Sequence, residues 1–318
     1  MNLHPAPNAP QLAPALDGYF SEGDWRNRLA RGEFRTLGRA LTLIENHIAV
    51  TSDLVDGDAG AVREGTVIGI TGPPGAGKST LINALVPVAE DCGFKVAVLA
   101  FDPSSRRTGG ALLGDRVRMA AHGAFVRSLA ARGHLGGTAA SAPEAVKLVR
   151  RLFDLVIVET VGAGQSEIEI QDIADITAVV SIPGNGDEVQ VSKAGILEIA
   201  DVFVVNQADR PGADETVRQL RAGATTATVP ILATVATTGQ GVPALLDACL
   251  KASRQRSDRR VSSNAARNAI ETALAAELLR RASRFITAER WLEAIAAVSN
   301  GEQPVAAAIN LLANITTS

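Results

Sequence analysis

Aromatic residues are scarce in this chain, at 3% of its 318 positions. Its core must therefore be built from Val, Ile, Leu and Ala, and such aliphatic runs suit the twice-covered strands of a parallel sheet. Only two cysteines occur, Cys92 and Cys249. They have no metal-ligand spacing and fall in segments that read as helix, so both read as structural thiols of a reducing cytosol. The four histidines, His4, His47, His122 and His134, are scattered, and no Cys-x-x-Cys is present. No apolar stretch approaches membrane-spanning length. Basic charge is not in excess either: 31 Lys and Arg stand against 34 Asp and Glu, for a net charge of −3. That balance argues against a broad nucleic-acid surface, and the basic cluster at 251–260 reads as a solvated helix face. Residues 1–14 are rich in Pro, Ala and Asn and lack the basic start and apolar stretch of a secretion signal. They read as a loose tail of a cytoplasmic protein.

What the chain does have is alternation. Residues 18–51 carry Leu29, Phe34, Leu37, Leu41 and Ile44 at helical spacing, and the helices here should pack on the main domain. Residues 53–64 read as a connector. Short aliphatic runs then predict strands at 66–71, 95–100, 125–129, 155–159, 177–182, 202–206 and 230–235. Helical patterns fall at 78–91, 142–152, 187–199, 214–221 and 242–252. Strands alternating with helices predict an α/β fold with a mostly parallel sheet covered on both faces. Beyond residue 253 only helical patterns remain. The expected organisation is a tail at 1–16, an N-terminal helical extension at 17–60, the α/β domain at 61–252 and a C-terminal helical extension at 253–318. From pattern alone, the last could wrap the domain or form a dimer contact.

The strongest local signal is Gly72-Pro73-Pro74-Gly75-Ala76-Gly77-Lys78-Ser79, followed by Thr80. It fits G-x-x-x-x-G-K-[ST] and lies between a strand and a helix, the context of a P-loop. The glycines let the backbone curl with its N–H groups facing phosphate oxygens. The following helix adds its positive end. Lys78 suits the β- and γ-phosphates, and Ser79 suits Mg²⁺. A P-loop nucleoside triphosphatase fold is the expectation.

Asn206-Gln207-Ala208-Asp209 directly follows the strand at 202–205 and resembles the Asn-Lys-x-Asp guanine motif of GTPases. Asp209 could accept hydrogen bonds from guanine N1 and the exocyclic amine, which adenine cannot supply at those positions. The alternative is that Asp209 caps the next turn. Gln207 stands where the motif has Lys; it keeps much of the aliphatic stem and loses the charge, so guanine affinity is expected to be lower. The loop at Val235-Ala236-Thr237 is placed to offer backbone N–H groups to the guanine oxygen.

Acidic residues end two strands, Asp102 after Val98 to Phe101 and Glu159 after Leu155 to Val158. In an open α/β sheet ligands bind at such ends, and carboxylates there can hold Mg²⁺ directly or through water. For either one alone, a helix cap or a loop salt bridge is an equal alternative; beside a P-loop, the metal reading is preferred. Gly162-Ala163-Gly164-Gln165-Ser166 follows Glu159. A turn there can sense the γ-phosphate, and Gln165 could orient water.

Longer runs carry a family resemblance. Phe101-Asp102-Pro103-Ser104-Ser105 with Thr108-Gly109-Gly110-Ala111-Leu112-Leu113-Gly114-Asp115-Arg116 resembles the first switch region of the MeaB/ArgK GTPases, relatives of the methylmalonic aciduria type A protein. Val158 to Glu167 and Gly186-Asp187-Glu188-Val189-Gln190, with Lys193-Ala194-Gly195-Ile196, resemble the later switches. Arg39 to Glu45 resembles the family's N-terminal helical part. The resemblance implies a cytoplasmic homodimeric GTPase that binds GTP or GDP with Mg²⁺. Its implied role is that of a chaperone for an adenosylcobalamin-dependent acyl-CoA mutase, chiefly methylmalonyl-CoA mutase. It also implies that Asp102, Asp115 and Glu159 arrange the Mg²⁺ and its waters, and that Asn206 and Asp209 hold guanine. By the same resemblance, residues 181–193 form a switch facing the mutase, with Lys193 as transmitter or as a plain surface lysine. Two other readings remain: a kinase of the ArgK transport type, and a metal-insertion GTPase, which would need the His or Cys cluster this chain lacks.

Overall fold

A computed structural model describes residues 16, 19–20, 24–45, 49, 51–55, 64–103, 123–131, 141–160, 170–184, 198–223 and 229–257. The chain divides into two compact units, one of 1–23 with 260–318 and one of Asp24–Arg259; all elements below belong to the second. The predicted helix at 187–199 and the helical patterns beyond 257 lie largely or wholly outside the described residues.

The order of elements is α1 (Trp25–Ala30), α2 (Phe34–Glu45), α3 (Thr51–Leu54), β1 (Thr66–Thr71), α4 (Lys78–Asp91), β2 (Val96–Pro103), β3 (Phe125–Ala131), α5 (Ala142–Arg150), β4 (Leu155–Thr160), a 3₁₀ turn (Ile170–Asp172), β5 (Ile176–Ser181), β6 (Val202–Val205), α6 (Ala213–Gly223), β7 (Ile231–Ala233) and α7 (Val242–Ser257). The seven strands form one sheet in the order β3-β2-β4-β1-β5-β6-β7. Every pairing between these strands is parallel.

Strand parity sorts the core into two layers, because successive side chains point to opposite faces. Ile68, Ile70, Val96, Val98, Leu155, Ile157, Ile176, Ala178, Val180, Val202 and Val204 join Leu81, Ile82, Leu85, Val86, Leu245 and Leu246 in one cluster with α4 and α7. The opposite parity, including Val67, Ala97, Leu99, Val156 and Val158, is equally buried. On that side α5 lies against β4 and β1, and the 3₁₀ turn lies against β1 and β5. Burial on both faces explains why the central strands read as unbroken aliphatic runs. The edge strand β7 is half-exposed.

The N-terminal helices pack on this unit as expected. The predicted helical span of 18–51 is broken at 31–33, where Gly32 has φ 69°. Arg127 on β3 ion-pairs with the nearly buried Glu45 of α2 at 2.6 Å and donates to Thr42 Oγ1 at 3.0 Å. Thr51 at the start of α3 binds Glu144 of α5 twice, N–H to Oε2 at 2.8 Å and Oγ1 to the carbonyl at 2.9 Å.

At the amino end of the sheet one device recurs. Asp154, Asp175 and Asp201 each stand one residue ahead of a strand. Their carboxylates accept N–H groups of the neighbouring chain: Lys95 N–H at 2.9 Å, Val67 N–H at 2.7 Å and Thr177 N–H at 2.9 Å. The first N–H of a ladder has no strand partner, and a carboxylate supplies a charge-assisted acceptor. Arg150 braces Asp175 from α5 at 3.2 Å.

Candidate functional site

The carboxyl end of the sheet carries those predicted residues that the structure describes. β1 ends at Thr71, the loop 72–77 turns, and α4 begins at Lys78. Two glycines are required by what surrounds them. Gly72 has φ 140°, and a Cβ there would lie 2.1 Å from the Val180 carbonyl oxygen. Gly77 has φ 81°, and its Cβ would meet Asn206 Nδ2 at 2.6 Å. The loop is thus pressed against β5 at Gly72 and against the segment after β6 at Gly77, with no room for a side chain at either position.

Lys78 is buried, at 7% exposure, although it carries a charge. Its Nζ donates to the carbonyls of Gly72 at 2.7 Å and Pro73 at 3.1 Å. These contacts make burial tolerable and fix the ammonium against the loop. Ser79 Oγ donates to Glu159 Oε1 at 2.6 Å across 80 positions of sequence. The register explains the meeting: Glu159 pairs with Ile70 of β1 and Ala100 of β2, so it sits between the two strand ends that flank the loop. Directly behind it, Thr160 Oγ1 donates to Thr71 Oγ1 at 2.9 Å, and both threonines are fully buried. A hydroxyl and a carboxylate in contact form a hard oxygen pair suited to a divalent cation.

Asn206 follows β6 and is 2% exposed. Its Nδ2 donates to the Ala76 carbonyl at 3.0 Å. Its Oδ1 accepts from Thr234 Oγ1 and from Ala236 N–H, both at 3.2 Å. One side chain therefore ties the phosphate loop, the end of β6 and the loop after β7 together. Gln207 has φ 55°, the one positive value outside glycine among the described residues; for an L-residue this costs about 1–2 kcal/mol. The turn continues with Ala208 N–H to the Thr234 carbonyl at 3.0 Å and Arg210 N–H to the Gln207 carbonyl at 3.0 Å. Asp209 is exposed at its tip and makes no hydrogen bond to any described residue, so it caps no turn here.

The loop after β7 departs from the expected strand 230–235. The strand stops at Ala233, and Val235 pairs instead with Gln240 in a tight return, Val235 N–H to the Gln240 carbonyl at 3.0 Å. Ala236 is buried and Thr237 is exposed. Asp102 lies on the last turnward part of β2, opposite Ala130 of β3 and two residues past the Glu159 register; only its backbone is described. Asp115, Gln165 and Lys193 lie outside the described residues. Thr71, Thr160 and Thr234 were missed by the sequence reading. Thr160 lies within the run likened to a switch but was given no role there, and Thr71 and Thr234 stand at strand ends that no motif marks.

A strand, a glycine loop and a helix bearing Lys78 and Ser79, with an acidic strand end beside them, define a P-loop nucleoside triphosphatase. The model of the family described as methylmalonyl-CoA mutase-associated GTPase MeaB matches residues 37–285, and the chain belongs to that family and is a GTPase. A Pyrococcus horikoshii relative named as a GTPase is 44% identical over 232 residues, covering 69% of this chain and 73% of that one. The mouse methylmalonic aciduria type A homolog, mitochondrial, is 41% identical over 147 residues, covering 45% of this chain and 35% of that one. A solved structure described as LAO/AO transport system kinase shares the fold, with a TM-score of 0.59, 24% identity and coverage of 98% and 99%. Among the described residues, no helix is long and apolar enough to cross a membrane.

Proposed function

We propose that this GTPase is a chaperone for an adenosylcobalamin-dependent acyl-CoA mutase, with methylmalonyl-CoA mutase as the first candidate. It would use GTP binding and hydrolysis to gate cofactor loading and protect the mutase. The observation that carries the reading is the family match over 37–285, whose description names that mutase. The likeness to the mouse methylmalonic aciduria type A homolog supports it. Action as a cytoplasmic homodimer is part of the same proposal and rests on the family resemblance.

The site residues supply a consistent mechanism. The N–H groups of 75–80 take the phosphate oxygens, aided by the positive end of α4. Lys78, already held by two carbonyls, faces the charge that grows on the transferring phosphoryl group. Water attacks the γ-phosphorus, the bond to the β-phosphate oxygen breaks, and GDP and phosphate leave. The hydroxyl–carboxylate pair of Ser79 and Glu159 fits Mg²⁺, and Asp102 and Asp115 are further proposed ligands through water. When bound, that ion would neutralise phosphate charge. Gln165 is proposed to orient the water. Asp209 accepts from the guanine N–H groups, and the Ala236 and Thr237 region faces the guanine oxygen.

The test uses the purified full chain with purified methylmalonyl-CoA mutase. Slow basal phosphate release from GTP should accelerate when the mutase is added. Fast turnover indifferent to any cobalamin mutase would refute the chaperone reading. Labelled γ-phosphate ending on an acceptor instead of in free phosphate would favour a kinase.

A further inference from the structure

Two adjacent carboxamides reach from the guanine loop to the phosphate loop, and they differ in how well they are held. Asn206 is held at both ends of its amide: Nδ2 donates to the Ala76 carbonyl, and Oδ1 accepts from both Thr234 Oγ1 and Ala236 N–H. Gln207 is slack. Its Nε2 is 3.5 Å from the Gly75 carbonyl, beyond the ordinary range of an N–H···O bond. Because that carbonyl can only accept, it dictates which end of the amide faces the loop. Gln207 Oε1 is then turned away, buried and without a hydrogen-bond partner among the described residues. The backbone carrying this side chain is itself in the left-handed region, at φ 55°.

A lysine at this place would give the Gly75 carbonyl a charge-assisted bond and set a cation against the face of a purine. The carboxamide gives neither, and its oxygen accepts from no described residue. We propose that Gln207 shortens the residence of guanine nucleotide on this chain. The inference rests on the guanine reading of the same site.

Release of tritiated GDP from the full chain, chased with excess unlabelled GDP, measures it. Gln207→Lys should slow release by roughly three- to thirty-fold, the span of cation–π attraction to an aromatic face. Gln207→Met, which drops the weak amide contact and the orphaned oxygen together, should stay within about three-fold of the parent. Gln207→Arg supplies the charge by a second route should the lysine variant fail to fold. Release unchanged by a cation, or accelerated roughly ten-fold or more by Met, overturns the proposal. If no variant retains GDP while all retain ADP, the guanine reading falls; if GDP is retained and only the rates fail to change, the role of Gln207 falls alone.

Discussion

At the amino end of the sheet, Asp154, Asp175 and Asp201 spend their carboxylates on backbone N–H groups of neighbouring strands. At the carboxyl end, Glu159 accepts from the Ser79 hydroxyl beside the glycine loop, and Asp209 stands exposed. Residues of one chemical kind thus close strand N–H groups at one end and stand at the proposed nucleotide site at the other. The difference lies in the direction of the strands. In a parallel sheet all amino ends lie together and all carboxyl ends lie together, so the helix starts and loops that can receive an anion collect on one side. The other side needs only closure of its first N–H groups.

The sharpest way to break this comparison is at Lys78. Lys78→Ala should lower kcat for GTP hydrolysis by about 100-fold or more, as loss of one preorganised charge does; phosphate release under saturating GTP measures it, and full activity would contradict the assignment of the carboxyl end. Next comes Asp209→Ala, expected to cut the preference for GTP over ATP by roughly 10- to 100-fold, the worth of hydrogen bonds to a charged acceptor. Competition binding gives the ratio, and an unaltered ratio would place guanine recognition elsewhere. Asp175→Ala tests the amino end. It should destabilise the fold by about 1–3 kcal/mol, because it strips the acceptor of Val67 N–H and the partner of Arg150. Urea unfolding reads this, with GTP affinity of the folded protein retained; weakened GTP binding at undiminished stability would reverse the comparison.

The smallest effect concerns Cys249, buried beneath the sheet near Asp201. Burial, and then the Asp201 carboxylate, pushes its thiol up from 9.0 to about 12. The folded chain therefore holds this proton more tightly than the unfolded chain. The resulting stability is fully present below pH 9.0 and is lost as pH rises towards about 12, with unfolding favoured throughout that window. Cys249→Ala should flatten this part of the stability profile. Alkylation at pH 8 should mark the exposed Cys92 and spare Cys249; equal labelling of both would show that the core around α7 opens readily.

Much of the fold was legible because its signals are local. Thr66 to Thr71, the glycine loop and Lys78–Asp91 form one continuous stretch in which strand, turn and helix each have their own residues, and α4 has the expected bounds. Aliphatic runs marked all seven strands. Their ends were less legible. β7 is three residues long, since Thr234 N–H still follows the ladder onto the Val205 carbonyl while Val235 turns back to Gln240, and no residue in the run announces that turn. α7 continues to Ser257, past the apolar pattern at 242–252, because its last turns need only solvent-tolerant residues. The three aspartates ahead of β4, β5 and β6 carry a visible pattern, Asp before an aliphatic run, whose meaning depends on a neighbouring strand.

By itself the sequence determined that a triphosphate cradle follows the first strand, that aliphatic strands require cover on both faces, and that an Asn-x-x-Asp pattern stands after the sixth strand. These are properties of residues within a few positions of each other. Only the tertiary structure decided which carboxylate reaches Ser79, because Glu159 arrives from 80 positions away through the order β2-β4-β1. It likewise decided that Asn206 locks Ala76 from 130 positions away while its neighbour Gln207 does not lock Gly75. Spacing along a chain cannot specify such contacts; they depend on strand order and register, which the whole core sets at once.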